Sequence, residues 1–217
     1  MRKKPMLVAG ALSALALAAL PAAASAGEYP THCITETCSS TIAGPHLELR
    51  TTGGSLITCT SSTGTISQAN HSTTGTAQFT FHGCKDPVFG THCGNAGTGT
   101  IKTNTLTSHN VYLEPSGSRT PGVLFTGMNM TVCGFFGAKT VSGGIIGHWE
   151  NPNCGVTQNS HWLSFEEVSA GHQRFKQVTT TGPVYDLIAK EGAGVPETFS
   201  VASTETLSHA NSTALTC

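Results

Sequence analysis

Eight cysteines, at positions 33, 38, 59, 84, 93, 133, 154 and 217, all lie beyond a short N-terminal segment that reads as a cleavable leader, and nothing else in the 217 residues constrains the fold as strongly. Arg2, Lys3 and Lys4 supply a positive start, Leu7 to Leu20 an apolar run broken at Pro21, and Ala24-Ser25-Ala26 a small-residue cleavage site. The expected organisation is a signal peptide over 1–26 and one secreted domain over 27–217. An even set of thiols in an exported chain argues for disulfides. The apolar run is short for a spanning helix, and no second one follows, so no membrane span is expected in the mature protein.

Short runs rich in Thr, Val, Ile and Phe alternate in polarity and are separated by Gly, Asn or Pro, which is the pattern of strands. Twelve segments carry it: 46–52, 55–61, 64–70, 76–84, 98–106, 110–115, 122–134, 139–150, 160–168, 172–178, 183–190 and 198–207. The expected fold is all-β, an antiparallel β-sandwich or Greek-key barrel stapled by disulfides. In the run from Thr76 to Cys84, Ala77, Phe79 and Phe81 alternate with polar neighbours and should face a core. The same alternation turns Leu47 and Leu49 inward, with Glu48 and Arg50 towards solvent.

Charge excludes one large class of function. The leader holds three of the eleven Lys and Arg, so eight cations face twelve carboxylates in the mature chain, a formal charge of about −4. Nucleic acid is not an expected partner, because phosphate neutralisation requires clustered cations. An enzyme would need a positioned acid, base or nucleophile. The chain has two aspartates, Asp86 and Asp186, no G-x-S-x-G elbow, and an adjacent pair, Glu166 and Glu167, that a strand would point to opposite faces. No catalytic residue is assigned and no cofactor is expected.

The ten histidines form no H-x-x-x-H pair, and those at polar strand positions, such as His82 and His172, read as solvated side chains. One stretch offers a metal alternative. His82, Cys84, His92 and Cys93 could supply two nitrogens and two sulfurs to zinc, but the spacing matches no known finger and an oxidising compartment favours the disulfide, so no metal is expected. With Pro87 and Gly90 to turn the chain, a Cys84–Cys93 bridge is expected. Trp149 and Trp162 flank Asn151-Pro152-Asn153-Cys154, and two exposed indoles with Asn151 and Asn153 would make a glycan platform for a partner such as cell-wall polysaccharide. The competing reading places both indoles in a core poor in aromatics.

The order CTSSTGTI, FTFHGC, a second Cys after a short loop, GTIKTNTL, VYLEPSG, TVCG and TVSGGIIG, over about residues 55 to 150, resembles a family of uncharacterised secreted actinobacterial proteins with signal peptides. The resemblance rests on Cys59, Gly83-Cys84, Cys93, Gly99 with Ile101 and Thr103, Leu113-Glu114-Pro115, Cys133-Gly134 and Gly144. It implies export and β structure and brings no chemistry with it. Setting Cys84–Cys93 aside, the other shared cysteines, Cys59 and Cys133, are expected to pair across the core. Cys33, Cys38, Cys154 and Cys217 depart from the family pattern and are expected to join as Cys33–Cys38 and Cys154–Cys217. The functional expectation is a non-catalytic structural or binding module, secreted or attached to the cell envelope. The alternatives are a glycan- or wall-binding protein and a secreted hydrolase.

Overall fold

A computed structural model describes residues 30–215, except 34, 95–96, 114–119, 134–136, 151 and 180. The described residues contain no α-helix, and every pairing between strands is antiparallel. The strands are β1 (Thr31–Cys33), β2 (Thr37–Gly44), β3 (Leu47–Thr51), β4 (Leu56–Cys59), β5 (Ser61–Ala69), β6 (Thr74–His82), β7 (Ile101–Lys102) and β8 (Leu106–Leu113). They continue as β9 (Thr120–Cys133), β10 (Ala138–Trp149), β11 (Gln158–Phe165), β12 (Glu167–Ser169), β13 (His172–Gln173), β14 (Leu187–Glu191) and β15 (Glu197–Leu215). Thirteen of them belong to one sheet, and β12 and β13 form a small hairpin apart from it.

The hydrogen-bonded path returns to its start. From β10 it passes through β9, β8, β6, β5 and β2 to β15, and β11 closes it by pairing with β15 on one side and with β10 on the other. The 19 residues of β15 serve several partners in turn: β14 and β3 along its first half, β11 and β2 further on, and β1 at its end. Strand β10 is shared in the same way, bonding β14 at Lys139–Gly143 and β11 at His148–Trp149. Between those stretches a register shift at Gly143 bends the strand. Gly143 has φ +126°, and a Cβ there would lie 2.1 Å from the carbonyl oxygen of Asp186, so only glycine fits.

Alternation sets the core. Ala77, Phe79 and Phe81 of β6 and Leu47 and Leu49 of β3 are all buried, as their period-two spacing predicts. Phe79 meets Phe125 edge-on with ring centroids 5.3 Å apart and Phe165 at 6.2 Å, so aromatics from β6, β9 and β11 meet at the centre. A second, smaller cluster of Val111, Leu113, Leu124, Ile146, Phe175 and Val178 covers the opposite face of β8, β9 and β10. This explains a departure from expectation: only 172–173 of the run 172–178 is strand, and the rest is an irregular cover held by Phe175 and Val178.

Two further departures have physical causes. Strands β1 and β2 show no apolar alternation in sequence, because the inward residues of β2 are Cys38, Ser40 and Ile42, two of them small. Only Ile101 and Lys102 of the expected strand 98–106 pair as β7, and from Leu106 the chain has already begun β8.

The disulfides are Cys33–Cys38, Cys59–Cys84 and Cys93–Cys133. The expected Cys84–Cys93 and Cys59–Cys133 bridges are therefore replaced by a different pairing of the same four sulfurs. Cys93 N–H does donate to Cys84 C=O at 2.9 Å, so the turn brings the two backbones together as anticipated. The side chains point elsewhere. Lys85 bridges Thr58 on one side and His92 on the other, which sets Cys84 beside Cys59 of β4 and leaves Cys93 to reach Cys133 at the end of β9. Cys154 is also disulfide-bonded, and its expected partner Cys217 lies outside the described residues. No helix among the described residues is long and apolar enough to cross a membrane.

Candidate functional site

With Cys84 and Cys93 each committed to a disulfide, the stretch 82–93 has no thiolate to offer a metal. Its histidines serve locally: Thr63 Oγ1 and His82 Nε2 are 2.9 Å apart, and His92 is exposed. Between the two cysteines, Asp86 Oδ1 accepts from the backbone N–H groups of Val88 (2.7 Å) and Phe89 (3.1 Å), which shapes the turn.

The two tryptophans do not form a platform. Trp149 is 5% exposed and packs against His161 with ring centroids 5.6 Å apart, whereas Trp162 is 47% exposed. The reason is register: Trp149 pairs with Leu163, so it shares the inner face with Leu163, while Trp162 projects from the other face of β11. Asn153 is exposed, and Asn151 lies outside the described residues. The paired-indole expectation is thereby corrected, since only one indole is available to a ligand.

Polar chemistry converges instead where β2, β15 and β11 are neighbours, beside Trp149. Ser40 on β2, His209 on β15 and His161 on β11 form a chain, with Ser40 Oγ 2.6 Å from His209 Nδ1 and His209 Nε2 2.6 Å from His161 Nδ1. Strand pairing places them, because Ser40 and His209 are direct cross-strand partners. Ser40 is 7% exposed and His161 is fully buried. Burial pushes both imidazoles down to about 4, and for His209 the neighbouring His161 adds to the effect, so both rings are neutral at pH 7. The His161 Nε2 atom is buried without a hydrogen-bond partner among the described residues.

Beside this chain, Asn110 Nδ2 donates to Thr31 Oγ1 at 2.6 Å and Thr31 Oγ1 donates to Gln68 Oε1 at 3.2 Å. Strand β1 thus closes this polar region with its own first side chain. The space left between Ser40, Gln68, Ser108, Asn110 and His209 is about 30 Å³, enough for about one or two waters.

A serine bonded to a histidine that is bonded to a second polar group has the connectivity of a nucleophile, a base and an orienting residue. Ser40 is 7% exposed, and the space beside it has room for about one or two waters and not for a scissile group. Glu205 is 1% exposed and accepts from Ser62 Oγ, and burial raises its pKa. Glu166 and Glu167 are spent on ion pairs and caps: Glu166 holds Arg174 and His148, and Glu167 accepts from the Gly171 N–H and from Ser200 Oγ. Among the described residues, no group of three or more His, Cys, Asp or Glu is placed to hold a metal ion.

The sequence matches no family model, no curated protein and no solved structure. The sequence reading missed the His161–His209 pair, although a signal was present: His161 alternates with Leu163 and Phe165 on β11 and so belongs to their buried face. Nothing local in sequence linked it to His209, 48 residues away.

Proposed function

We propose that this chain is a secreted, disulfide-stapled structural or binding module of the extracellular space or cell envelope, without catalytic activity. The observation that carries the reading is that Ser40, His209 and His161 are committed to one another by hydrogen bonds, with Ser40 and His161 buried and only about 30 Å³ of space beside Ser40 and His209. The arrangement stabilises a fold rather than exposing a nucleophile. Formed disulfides and a leader-like N-terminus support export, and the likeness over residues 55 to 150 to secreted actinobacterial proteins fits the same reading. The test is to treat the oxidised mature protein with a fluorophosphonate probe and a panel of glycoside and ester substrates. Neither labelling nor turnover is expected. Labelling that disappears in Ser40→Ala would overturn the proposal in favour of a hydrolase.

Wall or glycan binding is the second reading, favoured by the exposed indole of Trp162. Retention on purified cell-wall polysaccharide, lost in Trp162→Ala and kept in a folded variant altered elsewhere on the surface, would establish it. Passage of the wild type through the same matrix without delay would remove it.

A further inference from the structure

The inner face of β14 runs from Leu187 through Ala189 to Glu191, and at its end the core gives way to a hollow of about 370 Å³ lined by Lys139, Ala189, Glu191, Gly194, Val195 and Glu197. Register builds it. Lys139 of β10 lies directly opposite Glu191, and Ala189 lies directly opposite Glu197 of β15, so three neighbouring strands send these side chains to one place. The volume is within the range of about 300 to 1,000 Å³ common for small-molecule sites.

The polar groups here are held yet incompletely used. Lys139 is 6% exposed, and its ammonium donates to Glu197 Oε2 at 3.0 Å and to Ser55 Oγ at 3.1 Å, which leaves one of its three donors over. Glu197 is fixed as an anion, its pKa lowered first by the Lys139 hydrogen bond. Its carboxylate fills the space over Gly53, where a Cβ would lie 2.2 Å from Glu197 Oε1. Glu191 is half-buried and faces Lys139 in register, but no protein donor reaches its carboxylate among the described residues. Val195 lies at the rim of the hollow and is 86% exposed.

These groups select among ligand classes by charge and by donor-acceptor balance. An anion would meet two carboxylates around one already paired ammonium. A cation would find a single unpaired carboxylate, Glu191, because Glu197 is already neutralised by Lys139. A neutral ligand bearing several hydroxyls can donate to Glu191 and accept from Lys139, and its C–H groups can meet Val195 at the rim. We propose that the hollow between β10, β14 and β15 is a binding site for a neutral polyhydroxyl ligand, a hexose-like sugar unit. The inference rests on the reading of the chain as a non-catalytic binding module and gives that module a ligand class and a place.

The experiment is a two-dimensional amide NMR titration of the oxidised mature protein with glucose and with N-acetylglucosamine, with sulfate and methylammonium as charged controls. Saturable shifts in the millimolar range are expected at the amides of Ala189, Glu191, Gly194 and Glu197 with a sugar and not with either ion. Glu191→Ala, which leaves the Lys139–Glu197 pair in place, should weaken binding by about tenfold or more, the effect of removing a charged hydrogen-bond partner. Trp162→Ala should leave the shifts unchanged. No sugar-dependent shift at these amides, shifts indifferent to Glu191→Ala, or stronger shifts with either ion would overturn the site without touching the non-catalytic reading. Release of nitrophenol from nitrophenyl glycosides in the same samples would defeat the non-catalytic reading while supporting the sugar site.

Discussion

The imidazoles of His161 and His209 lie 2.6 Å apart, nitrogen to nitrogen, on the adjacent strands β11 and β15. The contact sits where the path of strands closes, and it requires a single proton between the two nitrogens. Protonating both rings would put two charges where burial already disfavours one. Both pKa values fall from 6.5 to about 4 on folding, so the unfolded chain binds more protons throughout that interval. The stability these groups lend is fully present above pH 6.5 and is lost as pH falls towards 4. Urea midpoints measured from pH 7.5 to pH 5 should therefore drop, at a rate of up to about 1.4 kcal/mol per pH unit for each proton. Carboxylates with ordinary or lowered pKa remain charged over most of that window, so His209→Gln should flatten the slope. An equally steep slope in the variant would remove the pair as its source.

Glu205 should show the opposite dependence. Its pKa is raised by burial, so the folded state holds the proton more tightly than the unfolded state, and its contribution is complete below pH 4.5 and is lost as pH rises through the raised value. Glu205→Gln keeps an acceptor for Ser62 Oγ and removes the titration. Its urea midpoint relative to wild type should climb between pH 5 and pH 8. A constant difference across that range would show that Glu205 is ionised in the fold as it is in the unfolded chain, and would remove the raised pKa.

Non-reducing peptide mapping should recover crosslinks of Cys59 with Cys84 and of Cys93 with Cys133. These bridges close loops with separations of 25 and 40 residues, worth about 3.5 and 4 kcal/mol in the chain-entropy model. Replacing Cys93 and Cys133 together by alanine should cost an amount of that order in equilibrium unfolding. A Cys84–Cys93 peptide would contradict the arrangement.

The two tryptophans should respond differently to every probe. Trp149→Ala removes a buried indole and should destabilise by about 3 to 5 kcal/mol, whereas Trp162→Ala should stay within about 0.5 kcal/mol of wild type. Acrylamide quenching offers an independent check, because Trp162 should be quenched readily and Trp149 weakly. Equal quenching of the two single-tryptophan variants would contradict their placement.

The sequence by itself determined the class of fold and much of its core. Period-two alternation around Phe79, Phe81, Leu47 and Leu49 is a local property of strands, and burying one face of a sheet leaves little freedom in which residues point inward. The tertiary structure decided whatever depended on which strands become neighbours. Cys84 and Cys93 share a turn, but their partners were chosen by β4 and β9, which lie far off in the chain. The same holds for Trp149 and Trp162, which look equivalent in sequence until the pairing of β10 with β11 sends one inward and one outward. His161 with His209, and Lys139 with Glu191 and Glu197, come together because hydrogen bonding between strands fixes side-chain proximity at separations on which periodicity carries no information.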